Sequence, residues 1–151
     1  MMIPGVENTI FGLASYFYAR DIGRIATARG LVFHVPDPFP AHSLAAARIA
    51  MVAEAEGWIE PFTRAVFAAE FSGREDIAST DVLSRIVSGL GHDPARISTA
   101  AGTTENKAAL RDRTEAAAAK DIFGAPTFLT EDGELFWGDD RLEQAVAWAN
   151  K

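Results

Sequence analysis

The sequence predicts an α/β protein that is mostly helical and closes with a β-hairpin and one last helix. Three observations predict it. Apolar residues recur at helical spacing, segment after segment, from Ile10 to about Asp121. After Gly124 the period changes, and two short aromatic or β-branched runs flank Glu131-Asp132-Gly133. Hydrophobic residues make up 48% of the 151-residue chain, enough to bury a core in one structural unit.

The first helix is predicted from Ile10 to Arg29, with Leu13, Phe17, Ile22, Ile25 and Ala26 at helical spacing and Gly30 as its stop. Leu31 to Val35 is a short apolar stretch that runs into Pro36-Asp37-Pro38-Phe39-Pro40, where three prolines forbid regular helix or a central strand. His42-Ser43 can cap the next helix, whose inward face is predicted to be Leu44, Ala47, Met51 and Ala55, and Gly57 ends it. Pro61 suits a helix start, Phe62, Ala65, Val66 and Ala69 form its apolar stripe, and Gly73 stops it. Ser79, Thr80 or Asp81 can cap a short helix carrying Val82, Ile86 and Leu90, and Asp93-Pro94 opens another through Ile97. Thr103 or Thr104 begins the longest run, Glu105 to Asp121, rich in Ala, Glu, Lys and Arg, in which Ala116 to Ala119 reads as a close-packed face. Thr127 to Thr130 and Glu134 to Trp137 form the hairpin. Asp139 or Asp140 then caps a final helix with Leu142, Ala145, Val146 and Ala149 inward.

Composition removes several kinds of chemistry. The chain has no cysteine, which excludes disulfides, thiolate metal sites and CxxC redox exchange. A formal net charge of -7 disfavours nucleic acid or an anionic membrane as partner. The first residues lack a basic n-region and no 18-residue apolar run occurs, so the expectation is a cytoplasmic protein that does not engage a membrane. His34, His42 and His92 are far apart and fit no metal-ligand spacing, so no metal is expected. His42, Asp37 and Arg48 lie near the proline loop, where a role beside a substrate competes with simple capping or solvation. Phe11, Tyr16, Phe17 and Tyr18 could flank a hydrophobic substrate or be core contacts. Neither a phosphate-cradling glycine loop nor a GxSxG elbow occurs.

The candidate site lies at the hairpin. Pro126 at the start of a strand cannot donate to the ladder. A cis Ala125-Pro126 bond would turn the preceding carbonyl and amide towards an open site, leaving the Ala125 backbone free to pair with an extended, peptide-like ligand. Trp137-Gly138-Asp139-Asp140 falls where a strand meets a helix start, a place where backbone amides can receive a carboxylate and aspartates an ammonium. That combination suits the zwitterionic end of an amino-acid-like ligand, and the simpler reading is a helix cap with an acidic first turn.

Helix, Gly124-Ala125-Pro126-Thr127, hairpin, Trp137-Gly138-Asp139-Asp140-Arg141-Leu142 and terminal helix together resemble the C-terminal half of 2-hydroxychromene-2-carboxylate isomerases. Upstream, the run from Tyr18 to Ala26, Gly30, and Pro36 to Pro40 before Ser43 and Arg48 are similar to the helical insert of the same proteins. These are relatives of kappa-class glutathione transferases. The resemblance implies a thioredoxin-like, DsbA-like fold with a large helical insertion: residues 1–121 would be the insertion with its entry helix, and 122–151 the hairpin and helix of the core. It implies glutathione as cofactor, with the Ala125 backbone beside Pro126 pairing with the cysteinyl unit and the turn Trp137, Gly138, Asp139 and Asp140 holding the γ-glutamyl end. It further implies isomerisation of an electrophilic, aromatic-degradation intermediate. A homodimer is a separate expectation.

Such proteins open with a strand, a helix and a second strand that carry a serine beside the glutathione sulfur. No matching segment is found here, and Ser15 lies in a predicted helix, so no catalytic residue is assigned. The alternative expectation is a truncated, noncatalytic helical module that works by association with another chain.

Overall fold

The computed structural model describes the backbone of residues 10–151 and the side chains from residue 19 onward. Two compact units result, Met1–Lys107 and Ala108–Lys151.

In the first unit, helix α1 spans Ile10–Ala28 and ends where Gly30 takes φ +68°, a left-handed conformation that glycine adopts without a Cβ penalty. The expected contacts of Phe11, Leu13, Tyr16, Phe17 and Tyr18 lie outside the described side chains. The segment after α1 is tied to residues 71 and 72 by two bonds. The His34 amide donates to the Phe71 carbonyl at 2.7 Å, and the Ser72 hydroxyl donates to the Val32 carbonyl at 2.8 Å.

Helix α2, Leu44–Ala55, ends in a Schellman turn. The Trp58 amide reaches the Ala53 carbonyl at 2.8 Å and the Gly57 amide the Glu54 carbonyl at 3.1 Å, with Gly57 at φ +82°. Its inward face differs from the expected one. Ala46, Ile49, Val52 and Ala53 are buried, whereas Leu44 and Ala55 are exposed and Ala47 and Met51 are half-buried. Six of the twelve residues of α2 are alanine, so apolar groups point in nearly every direction and the packing of neighbouring helices decides which face turns in.

Helix α3, Ile59–Phe67, buries Phe62 and Val66 and runs into a π-helical turn, Ala68–Ser72, that stops at Gly73. Helix α4, Thr80–Gly89, follows Ser79 and buries Leu83, Ile86 and Val87, with Val82 and Leu90 packed against that core. Helix α5, Pro94–Ala101, is capped by Asp93, whose Oδ1 accepts the Ala95 amide at 3.0 Å. Phe62, Val87 and Ile97 are the largest fully buried side chains and mark the centre of this helical core. Arg96 of α5 forks onto Glu56 just after α2, at 2.7 and 2.9 Å, and the Trp58 indole donates to the same carboxylate at 3.0 Å. Those bonds hold the Glu56 carboxyl down at about 2, the Arg96 contact weighing most.

Helix α6, Thr104–Ala118, starts in the first unit, where the Thr103 hydroxyl accepts the Asn106 amide at 3.2 Å. It stops earlier than expected, at Ala118, and Asp121 takes the left-handed position with φ 56°. The Ala116 to Ala119 patch is not a close-packed face: only Ala117 is half-buried and the other three are exposed. High helix propensity favours the segment where little of it is buried.

The second unit holds the antiparallel pair β1, Thr127–Leu129, and β2, Leu135–Trp137, in the register Thr127↔Trp137, Phe128↔Phe136 and Leu129↔Leu135. The turn closes through the Thr130 amide on the Glu134 carbonyl at 3.0 Å, with Gly133 at φ +88°. A short 3-10 turn, Asp139–Arg141, leads into helix α7, Leu142–Ala149. Of the four residues expected to point inward, only Ala145 is buried; Leu142, Val146 and Ala149 are exposed. Three residues per strand offer one narrow apolar strip, chiefly Phe136, and cannot cover the full width of α7. No helix among the described residues is long and apolar enough to cross a membrane.

Candidate functional site

The hairpin brings the sequence-predicted site residues to its open end. Because β1 begins at Thr127 and pairs it with Trp137, the residues just before β1 and just after β2 become neighbours. The Gly138 amide donates to the Pro126 carbonyl at 3.0 Å, which extends the pairing by one step and fixes the corner. The Ala125-Pro126 bond is cis. Ala125 and Pro126 are exposed, and among the described residues the Ala125 amide and carbonyl make no hydrogen bond. An extended ligand therefore meets an open donor and acceptor there.

The Trp137 ring covers one side of the corner. It lies 5.3 Å from the Phe123 ring, and a Cβ on Gly124 would come within 2.6 Å of its indole nitrogen, so glycine is needed for the ring to close over the chain. The Thr127 hydroxyl donates to the Gly124 carbonyl at 2.5 Å and holds the turn before β1.

Gly138 has φ 116° and ψ 147°, and a Cβ there would lie 2.6 Å from Asp140 Oδ1. The Asp140 side chain thus folds back over Gly138, and its Oδ2 lies 3.7 Å from the Arg141 guanidinium. The Arg141 amide closes the turn on the Gly138 carbonyl at 3.0 Å. At the start of such a turn the first amides have no intrahelical acceptor. Asp139 and Asp140 are exposed, so the corner presents the Asp140 amide beside two carboxylates. This suits the carboxylate and ammonium of one amino-acid-like group.

Trp137, Gly138, Asp139 and Asp140 thus stand together next to Ala125 and Pro126. The other candidates do not gather. His42 and Asp37 are exposed, and no hydrogen bond or ion pair joins them to Arg48. His34 contacts Arg74 at 2.8 Å, and His92 stacks on Trp58 at 4.1 Å. No cluster of three His, Cys, Asp or Glu residues that could hold a metal ion occurs among the described residues.

Two polar groups were not singled out from the sequence. Asp132 in the hairpin turn accepts the Thr130 hydroxyl at 2.5 Å and the Trp148 indole at 2.8 Å, contacts that lower its pKa, Thr130 first. It pins α7 to the turn. Glu70 is 4% exposed and falls four residues after Val66 and eight after Phe62, so it continues their inward stripe. That spacing was the signal available in the sequence.

The comparisons with known proteins bear on this arrangement. A solved structure of 2-hydroxychromene-2-carboxylate isomerase (HCCA isomerase) matches with a TM-score of 0.77 at 21% identity, over 97% of this chain and 71% of that one. Likeness at that identity shows a shared fold. No curated protein sequence matches. The family model of the DSBA-like thioredoxin domain matches residues 15–147, and the chain belongs to that family.

Proposed function

We propose that this protein is a cytoplasmic, glutathione-dependent isomerase of the HCCA isomerase type, acting on an aromatic-degradation intermediate. The observation that carries the reading is the corner closed by the Gly138 amide on the Pro126 carbonyl, with the Ala125 backbone left open beside Trp137 and two aspartates. The residues fit the cofactor end by end. Ala125 offers a backbone donor and acceptor for the cysteinyl unit, and Asp140 offers a carboxylate for the γ-glutamyl ammonium and a backbone amide for the neighbouring carboxylate. The Trp137 ring walls the corner with an apolar surface. When bound, glutathione supplies a thiol able to add to an unsaturated substrate, allow bond rotation and leave again. The chain's own part, on this reading, is to hold and orient the tripeptide; no catalytic side chain is assigned.

The test is turnover of 2-hydroxychromene-2-carboxylate by the purified chain with and without glutathione, repeated for Asp140→Ala. The reading expects activity that needs glutathione and a rise in the glutathione concentration required by the variant. Full activity of Asp140→Ala at the same glutathione concentration would count decisively against it.

A second reading has its own observation. Leu129, Leu142 and Val146 are exposed by 39%, 43% and 52%, and among the described residues the two-stranded sheet has two unpaired edges, which suits a noncatalytic module that works by association with another chain. A monomer that melts cooperatively and turns over substrate would remove this reading.

A further inference from the structure

Glu70 stands at the centre of the π-helical turn Ala68–Ser72, and it is the single buried charged residue among those described. Its Oε2 has no hydrogen-bond partner. A buried carboxylate oxygen without a donor is destabilising, and such a group calls for a partner of opposite charge. Non-α turns of this kind recur at functional sites, which makes the position worth following.

The residue lines a cavity of about 350 Å³ between the proline loop, α2, and α3 with its π-helical turn. That volume falls within the range of about 300–1,000 Å³ usual for small-molecule sites. Its other described walls are mainly apolar and include Phe39, Ala46, Phe62, Val66, Phe67 and Phe71. Among the described residues only the Ser43 and Thr63 hydroxyls add further polar side-chain atoms. Phe71 is stacked between Phe67 at 5.6 Å and Phe33 at 5.9 Å, so aromatic faces are held in place near the carboxylate.

This chemistry selects its occupant. A divalent cation needs several oxygen ligands, and among the described residues Glu70 is the only ionisable group in the wall. A carboxylate or phosphate would meet the Glu70 charge without a compensating cation. An ammonium meets both a carboxylate acceptor and ring faces, and an apolar body fills the remaining space. We propose that this cavity binds a small apolar molecule bearing a primary ammonium, held by the Glu70 carboxylate. The site lies wholly within the helical unit and does not depend on the glutathione reading.

The experiment is a titration of the full chain with benzylamine, benzyl alcohol and benzoate, three probes that share a ring and differ in the polar group. Amide shifts of Ala46, Glu70 and Phe71 report on the cavity, and the Ala125 amide serves as the distant control. Benzylamine is expected to give saturable shifts at the three cavity amides and none at Ala125, in the millimolar range or tighter. Benzyl alcohol is expected to bind at least tenfold more weakly, and benzoate not at all. Glu70→Gln keeps the shape and removes the charge, and should weaken benzylamine at least tenfold while leaving benzyl alcohol unchanged. Ala47→Leu, at a half-buried lining position, should weaken benzylamine and benzyl alcohol alike. Equal binding of benzylamine and benzoate, benzylamine affinity unchanged in Glu70→Gln, or no saturable shift because water alone fills the cavity would each overturn the proposal. Should Glu70→Gln fail to fold, the contrast between benzylamine and benzoate on the unaltered chain still decides.

Discussion

Replacing Gly138 with alanine tests the conformation on which the candidate site rests. At φ 116° and ψ 147° this residue occupies a region that is essentially glycine's alone, and holding another residue there costs about 1–3 kcal/mol. The new Cβ would also stand 2.6 Å from Asp140 Oδ1. That carboxylate is 75% exposed and can swing aside, giving up only its 3.7 Å approach to Arg141. Such an exposed pair is worth under about 1 kcal/mol. The backbone therefore dominates, and the expected loss is about 1–3 kcal/mol. Urea unfolding followed at the Phe136 amide measures it within the second unit. Adding Asp140→Ala should recover less than half of the loss, because it relieves the clash and leaves the backbone strain. Gly89→Ala is the control. Nothing lies within 4 Å of the added Cβ at Gly89, and the residue sits at the end of α4, so that variant should be neutral or slightly stabilised. Wild-type stability of Gly138→Ala would show that the corner does not depend on the glycine conformation at 138.

Three further outcomes follow from the helical unit. Asp93→Ala removes the side chain that caps α5 and should cost about 0.5–2 kcal/mol in urea unfolding; Asp93→Asn should keep most of it. Ile97→Ala empties a side chain with 0% exposure at the centre of the core and should cost about 2–5 kcal/mol, visible as a lower urea midpoint. Glu56 has its pKa lowered from 4.5 to about 2 by the Arg96 contact first and the Trp58 indole second. A group lowered on folding stabilises above its unfolded pKa and loses that contribution as pH falls through its folded value. The Tm advantage of wild type over Glu56→Gln should thus be full above about pH 5 and shrink towards pH 2, and an advantage unchanged across that range would contradict the contact.

Sequence and structure agree where one residue carries a local constraint. Gly30 and Gly57 end helices because each supplies a left-handed turn, and Asp93-Pro94 opens one because cap and proline both act within a single turn. The hairpin is legible for the same reason: Gly133 sits at φ +88° between two β-forming runs. Tertiary choices were not legible. The alanine-rich face of α2 has no contrast to read, and the exposure of Leu142 and Val146 depends on how little sheet stands beside α7. Asp132 and Trp148 are sixteen residues apart, and their bond exists only once α7 returns to the hairpin turn. The corner residues sit together because the register sets Thr127 opposite Trp137, whereas the fold of the Asp140 side chain over Gly138 comes from backbone angles that no spacing announces.

Glutathione binding at the hairpin corner is tested most directly by a titration of the purified chain, followed at the Ala125 and Asp140 amides, with Asp140→Ala as control. Saturable shifts are expected at both amides, lost or strongly weakened in the variant. Absence of shifts at both amides, or saturation unchanged in Asp140→Ala, would contradict binding there.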